Sequence, residues 1–200
     1  SLVIATLFLL RMVIQQHGQV IDLLELQRQM RELAHTDPLT GLANRREFDL
    51  CLDHEIAAAG ADSHFAIALL DLNGFKPVND AHGHAVGDLL LCEIAERLRG
   101  ACGRHAVVAR QGGDEFAILA PAGSQLLETS LADHILSALA APYRIDGRLI
   151  HVGASIGTAS WPEHGHTARN LCEVADAALY AAKAADRRQT SSVESIGWVA

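Results

Sequence analysis

Arg110-Gln111-Gly112-Gly113-Asp114-Glu115-Phe116 is the stretch on which the reading of this chain turns. Apolar residues precede it (Ala106 to Ala109) and follow it (Phe116 to Ala120). The pattern predicts strand, Gly-Gly turn, strand, because two adjacent glycines adopt the positive φ values of a tight hairpin. Asp114 and Glu115 sit just past the turn. Gly112 and Gly113 carry no side chains to block a ligand, and paired carboxylates beside them suit a hard cation. A surface hairpin with solvated acids is the competing reading, and the flanking sequence has to decide between the two.

Upstream, Phe65 to Leu70 is a short continuous apolar run, which predicts a central strand buried on both faces. Asp71 follows it directly, placed to project into a cleft. Asn73-Gly74 reads as a turn, followed by Phe75-Lys76-Pro77-Val78-Asn79-Asp80. His82-Gly83-His84 and Gly87-Asp88 come next, then an amphipathic helix from Leu89 to about Leu98. The two histidines read as structural or solvated rather than as metal ligands.

Downstream, Ser124 to Ala140 reads as helix and Pro142-Tyr143 as the start of a turn. Arg148 to Ala159 reads as strand, with Gly153 and Gly157 as bulges or points of close approach. Trp161 to His166 is expected to be a loop. Ala168 to Asp186 is a strong helix on which Lys183 and Arg187, four apart, share one face near its end. A solvated basic helix terminus is the alternative for that pair. The tail from Gln189 is polar until Ile196 and Trp198, which are expected to form an edge strand.

At the other end, Ser1 to Ile14 is apolar except for Thr6 and Arg11, and falls short of the ~20 apolar residues that span a bilayer. The chain opens on Ser rather than Met. The expectation is a fragment, beginning either in the last turns of a membrane helix or in a helix that buries this face against a partner. Val13, Val20, Leu23 and Met30 fall near heptad spacing, which fits a coiled coil interrupted by Gln16 and Gln27. Pro38 and Gly41 end that helix within His35 to Leu42, so the boundary is set at 36/37: a linker helix over 1–36 and a globular domain over 37–200. Asn44 then caps a new helix, with Glu47 as its capping-box partner, running to about Ala59.

The 200 residues suffice for one ordinary domain and an appendage. Half of them are hydrophobic but only 4% are aromatic, so the core is built mainly of Ala, Leu, Val and Ile. A net charge of -8 argues against a general nucleic-acid binder, which shows a basic face. Cys51, Cys92, Cys102 and Cys172 form no CxxC pair and read as buried, reduced thiols, in keeping with a cytosolic compartment.

Two acids at strand ends or turns, a cleft opened by glycine and three cations (Lys76, Lys183, Arg187) together suggest a Mg²⁺–nucleotide site. Mg²⁺ is commonly held by one or two carboxylates plus substrate phosphates. Lysine and arginine offset the triphosphate charge.

Several separated motifs, in order, extend this reading. They are Asp37-Pro38-Leu39-Thr40-Gly41-Leu42-Ala43-Asn44-Arg45-Arg46, Asp71 to Asp80, Gly83 to Asp88, Arg110 to Phe116, Ser155-Ile156-Gly157, and Ala175 to Tyr180 leading to Lys183. From about Leu33 to Arg187 the chain resembles a GGDEF domain of the diguanylate cyclase family. The resemblance implies an α+β fold like the palm of nucleotide cyclases, with a mostly antiparallel central sheet wrapped by helices, here preceded by a long N-terminal signalling helix. It implies condensation of two GTP into cyclic di-GMP with release of pyrophosphate, by two domains facing each other.

Residue by residue, it implies that Asp71 and Asp114 ligate Mg²⁺ (or Mn²⁺), two ions per site, with help from the Leu72 carbonyl. Glu115 ligates the second metal or helps deprotonate the attacking 3′-hydroxyl. Asn79 and Asp88 read guanine. Lys76, Lys183 and Arg187 contact phosphates, together with N–H groups near Gly74 and Phe75, and Gly112 and Gly113 leave space for the nucleotide.

The implied partners are GTP, a second copy through the N-terminal helix, and an upstream sensor or membrane domain, with no nucleic acid. The implied location is the cytoplasm, tethered to the inner face of a bacterial membrane if Ser1 to Ile14 closes a membrane helix. Two positions depart from the family. Gly103 and Ala106 stand where many members carry the Arg and Asp of an RxxD product-inhibition site, so feedback through that site is not expected. Asn73 stands where a second Asp is frequent. The alternative is a catalytically silent GTP-binding or dimerisation module.

Overall fold

The computed structural model describes residues 12, 15, 17, 35–127 and 130–196, without the side chains of 125 and 187–196. The expectations for 1–34 therefore lie almost wholly outside the described residues, as does Trp198. The chain divides into two units, Ser1–Thr36 and Asp37–Ala200, and the second carries everything that follows.

Its centre is a five-stranded mixed sheet of order β1-β3-β4-β2-β7. The strands are β1 (Ala43–Asn44), β2 (Phe65–Asn73), β3 (Val107–Gly112), β4 (Glu115–Ala120) and β7 (Gly153–Trp161). β1 runs parallel to β3, and the other three pairings are antiparallel. A separate hairpin joins β5 (Tyr143–Ile145) to β6 (Arg148–Ile150). Its turn is Asp146-Gly147, both at positive φ (48° and 77°), an arrangement that Asp-Gly favours.

Five α-helices cover the sheet. They are α1 (Arg45–Ala58), α2 (Phe75–His82), α3 (His84–Cys102), α4 (Leu131–Leu139) and α5 (Ala168–Ile196). Along β2, Ala66, Ala68, Leu70 and Leu72 join the core under α2, α3 and α4, while Phe65, Ile67 and Leu69 pack under α1 and α5. Successive strand side chains point to opposite faces, so a strand covered on both sides is apolar throughout. By the same alternation Asp71 and Asn73 lie on the α5 face.

Gly157 sets how closely α5 approaches the sheet. A Cβ there would overlap the Ala175 carbonyl oxygen and the Leu179 amide nitrogen, so the strand and helix backbones touch directly. Gly157 is thus a point of close approach.

Several local expectations are corrected. β2 extends past Leu70 to Asn73, so Asp71 lies within the strand rather than after it. Phe75–His82 is helical, with Pro77 in the first turn, where a missing N–H costs little. The helix expected over Ser124 to Ala140 is interrupted: a 3₁₀ turn at Gln125–Leu127 precedes α4, where Ser130 caps a fresh start by accepting from the Asp133 amide. α5 runs on to Ile196, so no edge strand forms over 189–196. The four cysteines are free thiols, and burial pushes Cys102 up to about 11. Among the described residues, no helix is long and apolar enough to cross a membrane.

Candidate active site

Gly112 and Gly113 close the β3–β4 turn at φ 143° and 55°, values that an L side chain rarely adopts. The register slips between Arg110 and Gly112, which re-aims the chain just before the two acids. Arg110 then reaches over the turn. Its Nε and Nη2 donate to the Gly113 carbonyl at 3.0 and 2.8 Å, and its Nη1 donates to both Asp37 carboxylate oxygens at 3.2 Å.

Asp37 is itself fixed by the loop that follows it. The Thr40 amide and hydroxyl donate to its Oδ1 at 2.9 and 2.6 Å. Burial by itself pushes the Asp37 carboxyl up, but the Thr40 and Arg110 donors outweigh it and hold the group below its ordinary value. The Gly-Gly turn is therefore not a floppy tip. A guanidinium, one of whose nitrogens meets a nearly buried carboxylate, pins its carbonyl.

The acids meet on the neighbouring strand. Asp71 pairs in register with Glu115, and the Leu72 amide donates to the Asp114 carbonyl at 3.2 Å. Alternation puts Asp71 and Glu115 on the same sheet face, toward α5. From α5, Lys183 Nζ lies 2.7 Å from Asp71 Oδ2. The expected strand-end acid and helix cation are thus in direct contact. Asn73 donates to Ser155 Oγ at 2.9 Å and to Asp186 Oδ2 at 3.0 Å. Arg187 follows Asp186 on the helix, and its side chain is not among those described.

On the opposite face, Gly74 begins α2 at φ 84° with no side chain capping the helix. The first N–H groups of α2, near Phe75 and Lys76, therefore lack a side-chain acceptor from the N-cap. Lys76 is exposed and Phe75 is buried. Asn79 Oδ1 is buried with no hydrogen-bond partner. It presses on Gly87, where any Cβ would overlap it. Asp88 follows Gly87 on α3, just past its first turn, and is exposed. An unpartnered buried acceptor beside an exposed carboxylate is a place for a ligand that donates N–H groups.

Among the described residues, no group of three or more His, Cys, Asp or Glu forms a ready-made metal cage. His164 Nδ1 instead accepts from the Ser160 amide at 2.9 Å, and His166 stands edge-on to Trp161. The carboxylates of Asp71 and Asp114 still suit Mg²⁺, which uses one or two carboxylates and takes its remaining ligands from phosphate and water.

Two features escape the reading of the sequence. One is the Asp37–Arg110 clamp, although both residues lie in quoted motifs. The other is a cavity of about 230 Å³ whose walls include Arg45, Asp49, Gln111, Glu115, Cys172 and Asp176. Neither has a local signature, because each is assembled from residues far apart in the chain.

The family described as diguanylate cyclase, GGDEF domain, matches residues 34–189. The chain is 43% identical over 157 residues to MucR of Pseudomonas aeruginosa, a bifunctional diguanylate cyclase/cyclic di-GMP phosphodiesterase, covering 78% of this chain and 23% of MucR. The GGDEF domain of TpbB from the same organism superposes with a TM-score of 0.70 at 40% identity, covering 74% of this chain and 88% of that structure. The coiled coil and GGDEF domain of DgcB from Caulobacter crescentus, in complex with c-di-GMP, gives a TM-score of 0.76 at 30% identity over 86% of this chain and 93% of that one. The chain spans about a quarter of MucR and about a third of full-length TpbB (23% and 35%). Sequence match and backbone agree, and the chain belongs to the GGDEF domain family, whose namesake activity is diguanylate cyclase.

Proposed function

We propose that this chain condenses two molecules of GTP into cyclic di-GMP, releasing pyrophosphate, as a pair of domains facing each other. The observation that carries the reading is the intact Gly112-Gly113 turn, which sets Glu115 in register with Asp71 while Lys183 reaches Asp71 from α5. A module that had lost its chemistry would have no need of this turn together with both acids.

In this reading Asp71, Asp114 and the Leu72 carbonyl hold the metal, with Glu115 beside them. Bound Mg²⁺ supplies charge neutralisation at the phosphates and lowers the barrier to hydroxyl attack. Glu115 accepts the proton of the attacking 3′-hydroxyl. Lys183 exchanges Asp71 for phosphate, joined by Lys76, Arg187 and the N–H groups at Gly74 and Phe75. Asn79 Oδ1 and the Asp88 carboxylate accept from the guanine N–H groups, which satisfies the orphaned buried acceptor at Asn79. Gly112 and Gly113 leave room for the nucleotide.

Each domain holds one GTP, so the rate depends on bringing two domains together. Pre-pairing them lowers the entropic cost of the encounter. The segment before Asp37 is proposed to do this as a paired helix under an upstream sensor, with the palm-like domain on the cytoplasmic side. Gly103 and Ala106 leave no RxxD pair, so the product is not expected to inhibit through that site.

Glu115→Gln tests the assignment. Nucleotide analysis of the wild-type chain should show cyclic di-GMP, and the variant should form at least ~100-fold less while still binding GTP. Equal turnover in the two proteins would remove Glu115 from its role.

A further inference from the structure

Asn73, where the resemblance anticipates a second aspartate, has a fully specified environment. Its Nδ2 donates to Ser155 Oγ at 2.9 Å and to Asp186 Oδ2 at 3.0 Å, and its Oδ1 accepts from the Ser155 hydroxyl at 3.2 Å. Both amide hydrogens are used. Asp186, as a carboxylate that only accepts, fixes which end of the amide faces the helix. Gly153 is the cross-strand partner of Asn73.

Two residues back on the same face of β2, Asp71 meets Lys183 at 2.7 Å. Lys183 and Asp186 are three apart on α5 and so are neighbours on one helix face. Strand and helix are therefore joined at two points, an acid to a base and an amide to an acid. The two points respond differently to a nucleotide. Under the GTP-binding reading above, Lys183 turns to phosphate and Asp71 to metal, so the first contact is given up. The Asn73–Asp186 contact uses no group that phosphate or metal requires.

We propose that Asn73 is a positioning residue whose hydrogen bond to Asp186 holds the middle of α5, beside Lys183, on β2 while Lys183 changes partner. The proposal rests on the GTP-binding reading. It also accounts for the departure at position 73. An aspartate there would set its carboxylate against that of Asp186 with no hydrogen to share, whereas asparagine supplies one.

The test is a swap in the full chain: N73D, D186N and N73D/D186N. Melting temperature is read without nucleotide, and KM for GTP and kcat are read with Mg²⁺. N73D should melt ~2–4 °C lower and raise KM by about 10-fold, with kcat within about 2-fold, as expected when one hydrogen bond to a charged group becomes a repulsion. D186N keeps an acceptor for the Asn73 amide and should raise KM by less than N73D does. In N73D/D186N the new amide donates to the new carboxylate, so both readouts should return to wild-type values, a non-additivity that marks direct contact. A wild-type KM in N73D, or a double variant as impaired as N73D, would overturn the proposal. A wild-type chain with no affinity for GTP would defeat the functional reading and the positioning role with it, even if the melting cycle still showed the pair. Additive melting effects in a chain that binds GTP would defeat the pair alone.

Discussion

Two aspartate–cation pairs flank the Gly-Gly turn, and they are built for different tasks. Asp37 and Arg110 are nearly buried, with side chains 13% (Arg110) and 17% (Asp37) exposed. The guanidinium divides its donors between a carboxylate and the Gly113 carbonyl, and Thr40 supplies two more donors to the acid. Asp71 and Lys183 also meet closely, but through an ammonium on a flexible stem that is 29% exposed. A planar fork with its donors committed is a fastener, whereas a point charge on a mobile stem can change partner. Under the proposed function, the turn is held from one side while the other side exchanges ligands.

Breaking the fastener should have the larger effect. Arg110→Ala leaves Asp37 without its counter-charge and frees the Gly113 carbonyl, and should cost about 2–3 kcal/mol of stability in a denaturant titration. Turnover should fall by at least ~10-fold, because the acids lose their fixed approach. Arg110→Lys keeps the charge without the fork and should fall between. Wild-type stability in Arg110→Ala would erase the distinction between the two pairs.

Lys183→Ala probes the exchangeable side. GTP affinity by calorimetry should weaken by ~10-fold, the scale of one charge-assisted hydrogen bond. Stability should fall by about 1 kcal/mol, less than in Arg110→Ala, because the ammonium end of the pair is partly solvated. A large loss of stability with unchanged GTP affinity would make Lys183 a second fastener.

The smallest expected effect is a pH dependence. Asp37 has its folded-state carboxyl held below the ordinary 3.8. Its stabilising contribution is therefore complete above the ordinary carboxylate range and is lost as pH falls through the depressed value. Asp37→Asn should remove this part of the acid-side slope in denaturation curves collected from neutral pH downward. An identical slope in the variant would mean that other carboxylates carry the acid response.

The parts of the site legible in the sequence are those made by neighbours in the chain. The glycine pair dictates its turn, the double-faced apolar run of β2 dictates a central strand, and Asn44 caps α1 by accepting from the Glu47 amide. The spacing of Lys183 and Arg187 places them on one helix face. What stays hidden is tertiary. Asp71 and Asn73 extend β2 because Glu115, Ser155 and Gly153 pair with them from other strands. Pro77 and the polar residues of Phe75–His82 disguise a helix that begins only because Gly74 takes a left-handed turn. Arg110 and Asp37 are 73 residues apart, so no local pattern announces their contact. The tail of α5 holds no Gly or Pro before Gly197 to stop it, and the helix runs through the polar stretch.

The most direct test of the central claim is product analysis after incubating the chain with GTP and Mg²⁺ across a range of protein concentrations. Cyclic di-GMP and pyrophosphate should form, with a rate per chain that rises with concentration as domains pair. GTP left unconverted at every concentration, even when two domains are joined through a fused coiled coil, would contradict it.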